Sequence, residues 1–251
     1  MLIPVFFGIS FIYSSVGFGG GSSYIAILVL AGTSLVLVPP ISLVLNIVVA
    51  GVALFNFARA GHLSLRFALP FLSSIPFAFF AGTIKLPQNN LLIIFIIALF
   101  AASAALLISG IKKIESQPDK IKRMNLSQNQ LFAVSVPTGA GLGTLAGLVG
   151  IGGGIWLSPL LILTGISNTK KTAATASLFI VTNSIAGLIG HSIKSAPDIF
   201  LLIPLAVTVL VGGIIGSKLG AFKFDHDKLR IIVGGVVGVA GISLTIKLLT
   251  G

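Results

Sequence analysis

Residues 16–21 read Val-Gly-Phe-Gly-Gly-Gly and residues 149–154 read Val-Gly-Ile-Gly-Gly-Gly, five identities in six at a separation of 133 residues. Each run interrupts a strongly apolar stretch. Glycine inside a helix costs about 1 kcal/mol relative to alanine and frees the backbone to turn. A chain that breaks two helices in the same manner at this spacing reads as two copies of one unit.

The apolar stretches decide the solvent. The chain has 251 residues, 55% hydrophobic and 8% charged, against roughly 25% charged in soluble domains. Apolar runs near or beyond ~18 residues recur from end to end, the pattern of an all-α polytopic membrane protein. The alternating ~10-residue strands of a membrane β-barrel are missing. The five acids, Glu115, Asp119, Asp198, Asp225 and Asp227, all fall in segments that read as loops or helix ends. The net charge of +11 sits mainly between apolar runs, so it speaks for membrane topology rather than nucleic acid. The absence of cysteine excludes disulfides and thiolate chemistry. The first run lacks a basic leader and stays apolar to Val38, so it reads as part of the mature chain rather than a signal peptide.

Residues 2–38 form one run broken at Gly17–Gly21 and ended by Pro39-Pro40. Its halves, 2–16 and 22–38, would each rise about 24 Å, short of a ~30 Å bilayer core. They are either two short spans or a re-entrant hairpin with the glycines at its tip. Spans are predicted at 41–58, 66–85 and 91–110. A basic segment with Lys112, Lys113, Lys120, Lys122 and Arg123 follows. The plan then repeats, with a broken run over 129–165 and spans near 172–192, 198–219 and 229–249. Ordered echoes accompany it: Ser42-Leu43 with Ser177-Leu178, Asn46 with Asn183, Ala50-Gly51 with Ala186-Gly187, Pro70 with Pro204, and Gly82 with Gly216. The expected organisation is a first transmembrane repeat at 1–110, a cytoplasmic linker at 111–128 and a second repeat at 129–251. Each repeat is a glycine-broken hairpin plus three transmembrane helices.

Positive charge orients the copies. If each broken run starts and ends on one side, a repeat makes an odd number of passes and the copies are inverted. With the linker inside, 13 of the 16 Lys and Arg then lie inside, leaving Lys85, Lys194 and Lys247 outside. If each broken run crosses once, the split is about nine to seven. The inverted arrangement is therefore preferred, with both termini outside, a construction used by many secondary transporters.

These residues resemble a known family. The paired segments Val16–Ser22 and Val149–Ile155, and Ala174-Thr-Ala-Ser-Leu178 leading through Asn183 and Ala186-Gly187 to His191, are similar to the sulfite exporter TauE/SafE family of membrane transporters. The resemblance covers both halves. It implies movement of sulfur-containing anions such as sulfite, thiosulfate or organosulfonates across the cytoplasmic membrane. The copies differ, since Pro39-Pro40-Ile41-Ser42 stands where the second has Thr172-Ala-Ala-Thr-Ala-Ser177, and His191 corresponds to Asn56. Any site is thus only approximately symmetric.

A helix break within a membrane leaves backbone N–H groups that need partners. The helix after each break starts with its positive dipole end there, which suits an anion. Candidate substrate-binding residues are Gly19, Gly20, Gly21, Ser22, Asn46, Gly152, Gly153, Gly154, Ser177 and Asn183. Asn46 and Asn183 offer neutral amide donors, and interhelical hydrogen bonding is the competing role. The glycines compete with a simple close-packing role. His191 is a candidate gate or proton site, or a structural histidine at the membrane interface. Trp156 either walls the cavity or packs.

No Asp or Glu lies mid-span, so the carboxylate relays of proton- and sodium-coupled pumps are missing. Gly-Phe-Gly-Gly-Gly lacks the Lys-Ser/Thr of a phosphate-binding loop, and three scattered histidines without cysteine make no enzyme or metal site. The expected partners are a small anionic sulfur compound and the lipid bilayer, with no cofactor and no nucleic acid. A transporter or channel for another small solute or ion is the competing reading.

Overall fold

A computed structural model describes residues 2–111, 127–193, 198–224 and 226–250. The basic residues of the linker, Lys112 to Arg123, and Lys194 lie outside the described residues. Among those described, regular structure is helical throughout: α1 (Leu2–Ser15), α2 (Gly21–Leu30), α3 (Val38–Arg59), α4 (Leu65–Ala68), α5 (Ser74–Thr83), α6 (Gln88–Ile111), α7 (Gln128–Val149), α8 (Gly154–Leu163), α9 (Thr169–Ser192), α10 (Ile199–Phe222) and α11 (His226–Thr250). A 3₁₀ turn at Leu69–Ser73, carrying Pro70 at its start, joins α4 to α5. Its counterpart α10 accommodates Pro204 without interruption.

Seven segments among the described residues are long and apolar enough to cross a bilayer: α3, 65–83, α6, α7, α9, α10 and 227–250. Their outer faces are apolar, with Phe200 93% and Ile193 69% exposed, which places acyl chains rather than water around them. The returning legs of the broken runs are another matter. Both α2 and α8 have ten residues and rise about 15 Å, half a bilayer core. The expectation of a leg over 22–38 is corrected here, since α2 stops at Leu30. Gly32, at φ +84°, donates to Val29 O while Thr33 N donates to Leu28 O, the 5→2 and 6→1 bonds that close a helix around a left-handed glycine. Gly165 and Ile166 repeat the closure on α8, 133 residues later.

Helix directions follow from close approaches. An added Cβ at Gly139, Gly143 or Gly147 on α7 would stand 2.8, 2.5 and 2.2 Å from the carbonyl oxygens of Phe71, Ser74 and Ala78, so α7 lies parallel on the 69–83 segment. The same motif joins α10 to α1, where a Cβ added at Gly212, Gly216 or Gly220 would stand 2.7, 2.0 and 2.0 Å from the carbonyl oxygens of Phe7, Phe11 and Ser15. The corresponding helices α6 and α11 run antiparallel: Gly110 meets Ile231, Gly234 meets Leu107 and Gly241 meets Phe100. Ser103 Oγ ties the pair by donating to Gly234 O at 2.8 Å. Helices α3 and α9 are antiparallel too, with Leu43 against Gly187 and Phe57 among Ala173 and Ala174. Exchanging the halves maps these packings onto one another.

These directions sort the connections onto two ends. Residues 60–64, 164–168 and 223–224 share the end at which α6 finishes and α7 begins, here the linker end. Residues 31–37 and 84–87 share the other end with the start of α1 and the finish of α11. Arg59, Arg66, Lys170, Lys171, Lys218, Lys223, Lys228 and Arg230 gather toward the linker end. Lys85 and Lys247 lie toward the other, where Lys247 Nζ donates to Val29 O and complements the negative end of the α2 dipole.

Candidate functional site

The two glycine breaks meet, and Asn46 joins them. It projects from α3, where Gly21 N, the first backbone donor of α2, donates to its Oδ1 at 2.9 Å. Its Nδ2 donates to Ile151 O of the second break at 2.9 Å. A backbone N–H on one side and a carbonyl on the other permit only this amide orientation. The glycines make room for it. A Cβ at Gly19 or Gly21 would stand 2.2 or 2.3 Å from the Asn46 amide, and one at Gly152 would stand 3.3 Å from Nδ2.

Two serines lock the halves reciprocally. Ser42 Oγ is 3.1 Å from Gly150 O and 3.3 Å from Gly21 O. Ser177 Oγ is 2.9 Å from Gly17 O and 2.8 Å from Ala173 O. Each hydroxyl shares its one proton between a carbonyl of the other half's break and a second carbonyl. Ser42→Ala and Ser177→Ala are expected to cost about 1 kcal/mol each, by similar amounts, which thermal unfolding of the purified variants in detergent measures.

The serine register also corrects the asparagine pairing. Ser42 and Ser177 are 135 positions apart, so the counterpart of Asn46 is Val181. Asn183, at 137, does not bridge the breaks. Its Nδ2 donates to Phe179 O in its own helix at 2.8 Å, and its buried Oδ1 has no hydrogen-bond partner among the described residues.

The N-terminal residues of α2 and α8 converge from opposite halves. Their N-caps Gly20 and Gly153 have φ of +92° and +81°, a conformation that suits glycine, and no side chain caps either helix. The first break is the polar one. Tyr13 Oη lies 2.7 Å from Ser23 Oγ and 3.3 Å from Ser22 Oγ. Tyr24, stacked on Phe6, is fully buried with its ring against Gly20. The positions 133 residues later are Ala146, Ile155, Trp156 and Leu157. Gly153 faces Phe179 and Gly154 faces Ile180, while the Trp156 indole donates to Ala98 O at 3.1 Å and packs α8 on α6. Sequence reasoning missed the tyrosines. The available signal was that the only two tyrosines of the chain flank one glycine run.

A void of about 10 Å³ remains between Gly19–Ser22, Ile151 and Ile180, room for about one water. The meeting point is closed. His191 lies apart from it, toward the end opposite the linker. It is 7% exposed, with Nε2 2.8 Å from Gly147 O. Its counterpart Asn56 donates to Ser217 Oγ at 2.7 Å.

Long apolar helices around two glycine-broken half-helices define a polytopic membrane protein of transporter type. The family model described as Sulfite exporter TauE/SafE matches residues 2–244, and the chain belongs to that family. It is 29% identical over 251 residues to a probable membrane transporter protein, y4hK, of Sinorhizobium fredii, covering 97% of this chain and 96% of the relative. Over 108 residues, 40% of each chain, it is 32% identical to the probable membrane transporter protein MJ0441 of Methanocaldococcus jannaschii. A probable membrane transporter protein of Xylella fastidiosa is 27% identical over 114 residues, 45% of this chain and 43% of the relative. No solved structure matches. The chain is thus a multi-pass membrane transporter of the TauE/SafE type, not an enzyme, embedded in a lipid bilayer.

Proposed function

We propose that the protein is a secondary transporter, working as an exporter, of small sulfur-containing anions such as sulfite, thiosulfate or organosulfonates. The anion binds where the two glycine breaks meet. The observation that carries this reading is the pair of hydrogen bonds at Asn46, which accepts from Gly21 N on one side and donates to Ile151 O on the other. The carboxamide oxygen of Asn46 sits at the positive end of α2, the place an oxyanion would take. An arriving oxyanion accepts the Gly21 N–H in its stead. Asn46 Nδ2 then turns from Ile151 O to the anion, so binding loosens the link between the breaks. Coupling occupancy to the separation of two halves is what alternating access requires.

The proposed topology follows the charges. The linker end, with its eight described Lys and Arg residues named above, faces the cytoplasm, and both chain ends face outward across the cytoplasmic membrane. Inverted repeats at 1–110 and 129–251 with a linker at 111–128 fit the antiparallel packing of α6 on α11. An inside-negative potential favours anion efflux by ~2.3 kcal/mol per charge per 100 mV. A proton, if co-transported, travels on the substrate or on His191.

The test is flux from liposomes holding the purified protein, under an imposed potential, with a panel of sulfur oxyanions, carboxylates and metal cations. Saturable sulfite or thiosulfate efflux that grows with the potential supports the proposal. A cation-selective reversal potential would establish the competing reading instead.

A further inference from the structure

The bundle end opposite the linker holds a cavity of about 340 Å³ that the closed meeting point does not use. Leu35, Leu91 and Leu148 form much of its apolar wall, and Lys85, Gln88 and His191 supply the polar part. Lys85 is exposed and has no ion-pair partner among the described residues. The described acids are engaged elsewhere: Asp198 caps α10 through Phe200 N and Leu201 N, and Asp227 pairs with Arg230 at 3.1 Å. Among the described residues no carboxylate lines the cavity and Lys85 does, so the field there is positive. The Nε2 of His191 faces the Gly147 carbonyl, so it carries a proton and donates. That bond fixes the ring against the cavity wall.

The cavity also points inward. A small void shares Leu35, Pro39 and Leu91 with it and adds Val149, and the void at the meeting point is walled by Ile151. Leu148, Val149 and Ile151 therefore border three successive spaces between this end and the breaks. A four-atom inorganic oxyanion would leave a 340 Å³ cavity mostly filled with water. An anionic head carrying an apolar body would use both kinds of wall.

We infer that this cavity is a vestibule that binds organic anions with one charged head and a short apolar body, Lys85 holding the head and Leu35, Leu91 and Leu148 the body. A lysine ammonium is a point charge without the planar fork that discriminates oxyanion shapes. The vestibule thus reads charge and apolar length, and does not distinguish sulfonate from carboxylate. The inference rests on the anion-transport reading only for the direction of traffic.

The test measures affinities of the full chain in lipid nanodiscs for straight-chain alkanesulfonates and alkanoates of one to six carbons, beside sulfite. Affinity is expected to rise about fourfold per methylene for both heads until the cavity is full. Lys85→Gln should weaken both series roughly two- to fivefold, and Leu148→Trp should abolish the length dependence while sparing sulfite. Lys85→Gln, on an exposed connection, decides the matter if Leu148→Trp does not fold. Affinity independent of chain length, or equal in wild type and Lys85→Gln, overturns the vestibule and leaves sulfite transport standing. Length-dependent binding without flux of any sulfur anion leaves the vestibule and removes the transport reading.

Discussion

Asn46→Ala is expected to lower the stability of the purified protein by about 2–5 kcal/mol and to reduce anion flux to below a tenth of wild type. Both effects come from the same two bonds. Truncation leaves the N–H of Gly21 and the carbonyl of Ile151 buried, and an unsatisfied buried polar group costs about 1–3 kcal/mol. It also removes the side chain that joins the two breaks, so their approach is no longer specified. Thermal unfolding in detergent reads the first effect and liposome flux the second. Asn183→Ala is the informative contrast, because Asn183 bonds only within α9 among the described residues. Its expected cost is about 1 kcal/mol, with most of the flux retained.

Gly147→Leu is expected to prevent accumulation of folded protein, and Gly220→Leu should do so to the same degree. At these positions a Cβ would lie 2.2 Å from Ala78 O and 2.0 Å from Ser15 O, inside backbone that cannot yield as a side chain can. Helices α7 and α10 would have to lift off their partners, a loss in the exceptional range beyond ~4 kcal/mol. Gly141→Leu on the same α7 is the control, since nothing lies within 4 Å of its would-be Cβ. It should be tolerated, with a gain of up to about 1 kcal/mol from helix propensity. Yield and monodispersity on size-exclusion chromatography separate the three variants. Equal failure at Gly147 and Gly220 would also bear on the twofold exchange of the halves.

Much of this arrangement was legible from apolar run length and glycine placement. The spans predicted at 41–58, 91–110 and 172–192 became α3, α6 and α9 with ends shifted by a few residues. Bilayer thickness constrains such segments strongly. The end of α2 was missed because Gly32 closes the helix within a run that remains apolar to Val38, and hydropathy does not register a left-handed glycine. Asn183 was paired with Asn46 by residue identity, whereas helical register decides which side chain reaches a break, and Ser42 and Ser177 set that register two positions away. Tyr13 and Tyr24 were passed over because a tyrosine in an apolar helix reads as packing until its hydroxyl is seen beside Ser22, Ser23 and Gly20. The vestibule draws on four separate stretches of chain, 35–39, 84–91, 148 and 191, so no local pattern announces it.

Anion transport as proposed requires an anion to take the place of the Asn46 carboxamide oxygen at the start of α2. Asn46→Asp tests it most directly. A carboxylate still accepts the Gly21 N–H, more strongly than an amide does, so the first break keeps its partner. It also carries the charge that the anion would bring. Titration of sulfite and thiosulfate into wild type and Asn46→Asp, each shown folded by thermal unfolding, is predicted to give saturable binding in the first and none in the second. Binding to Asn46→Asp as tight as to wild type would place the anion elsewhere and contradict the account.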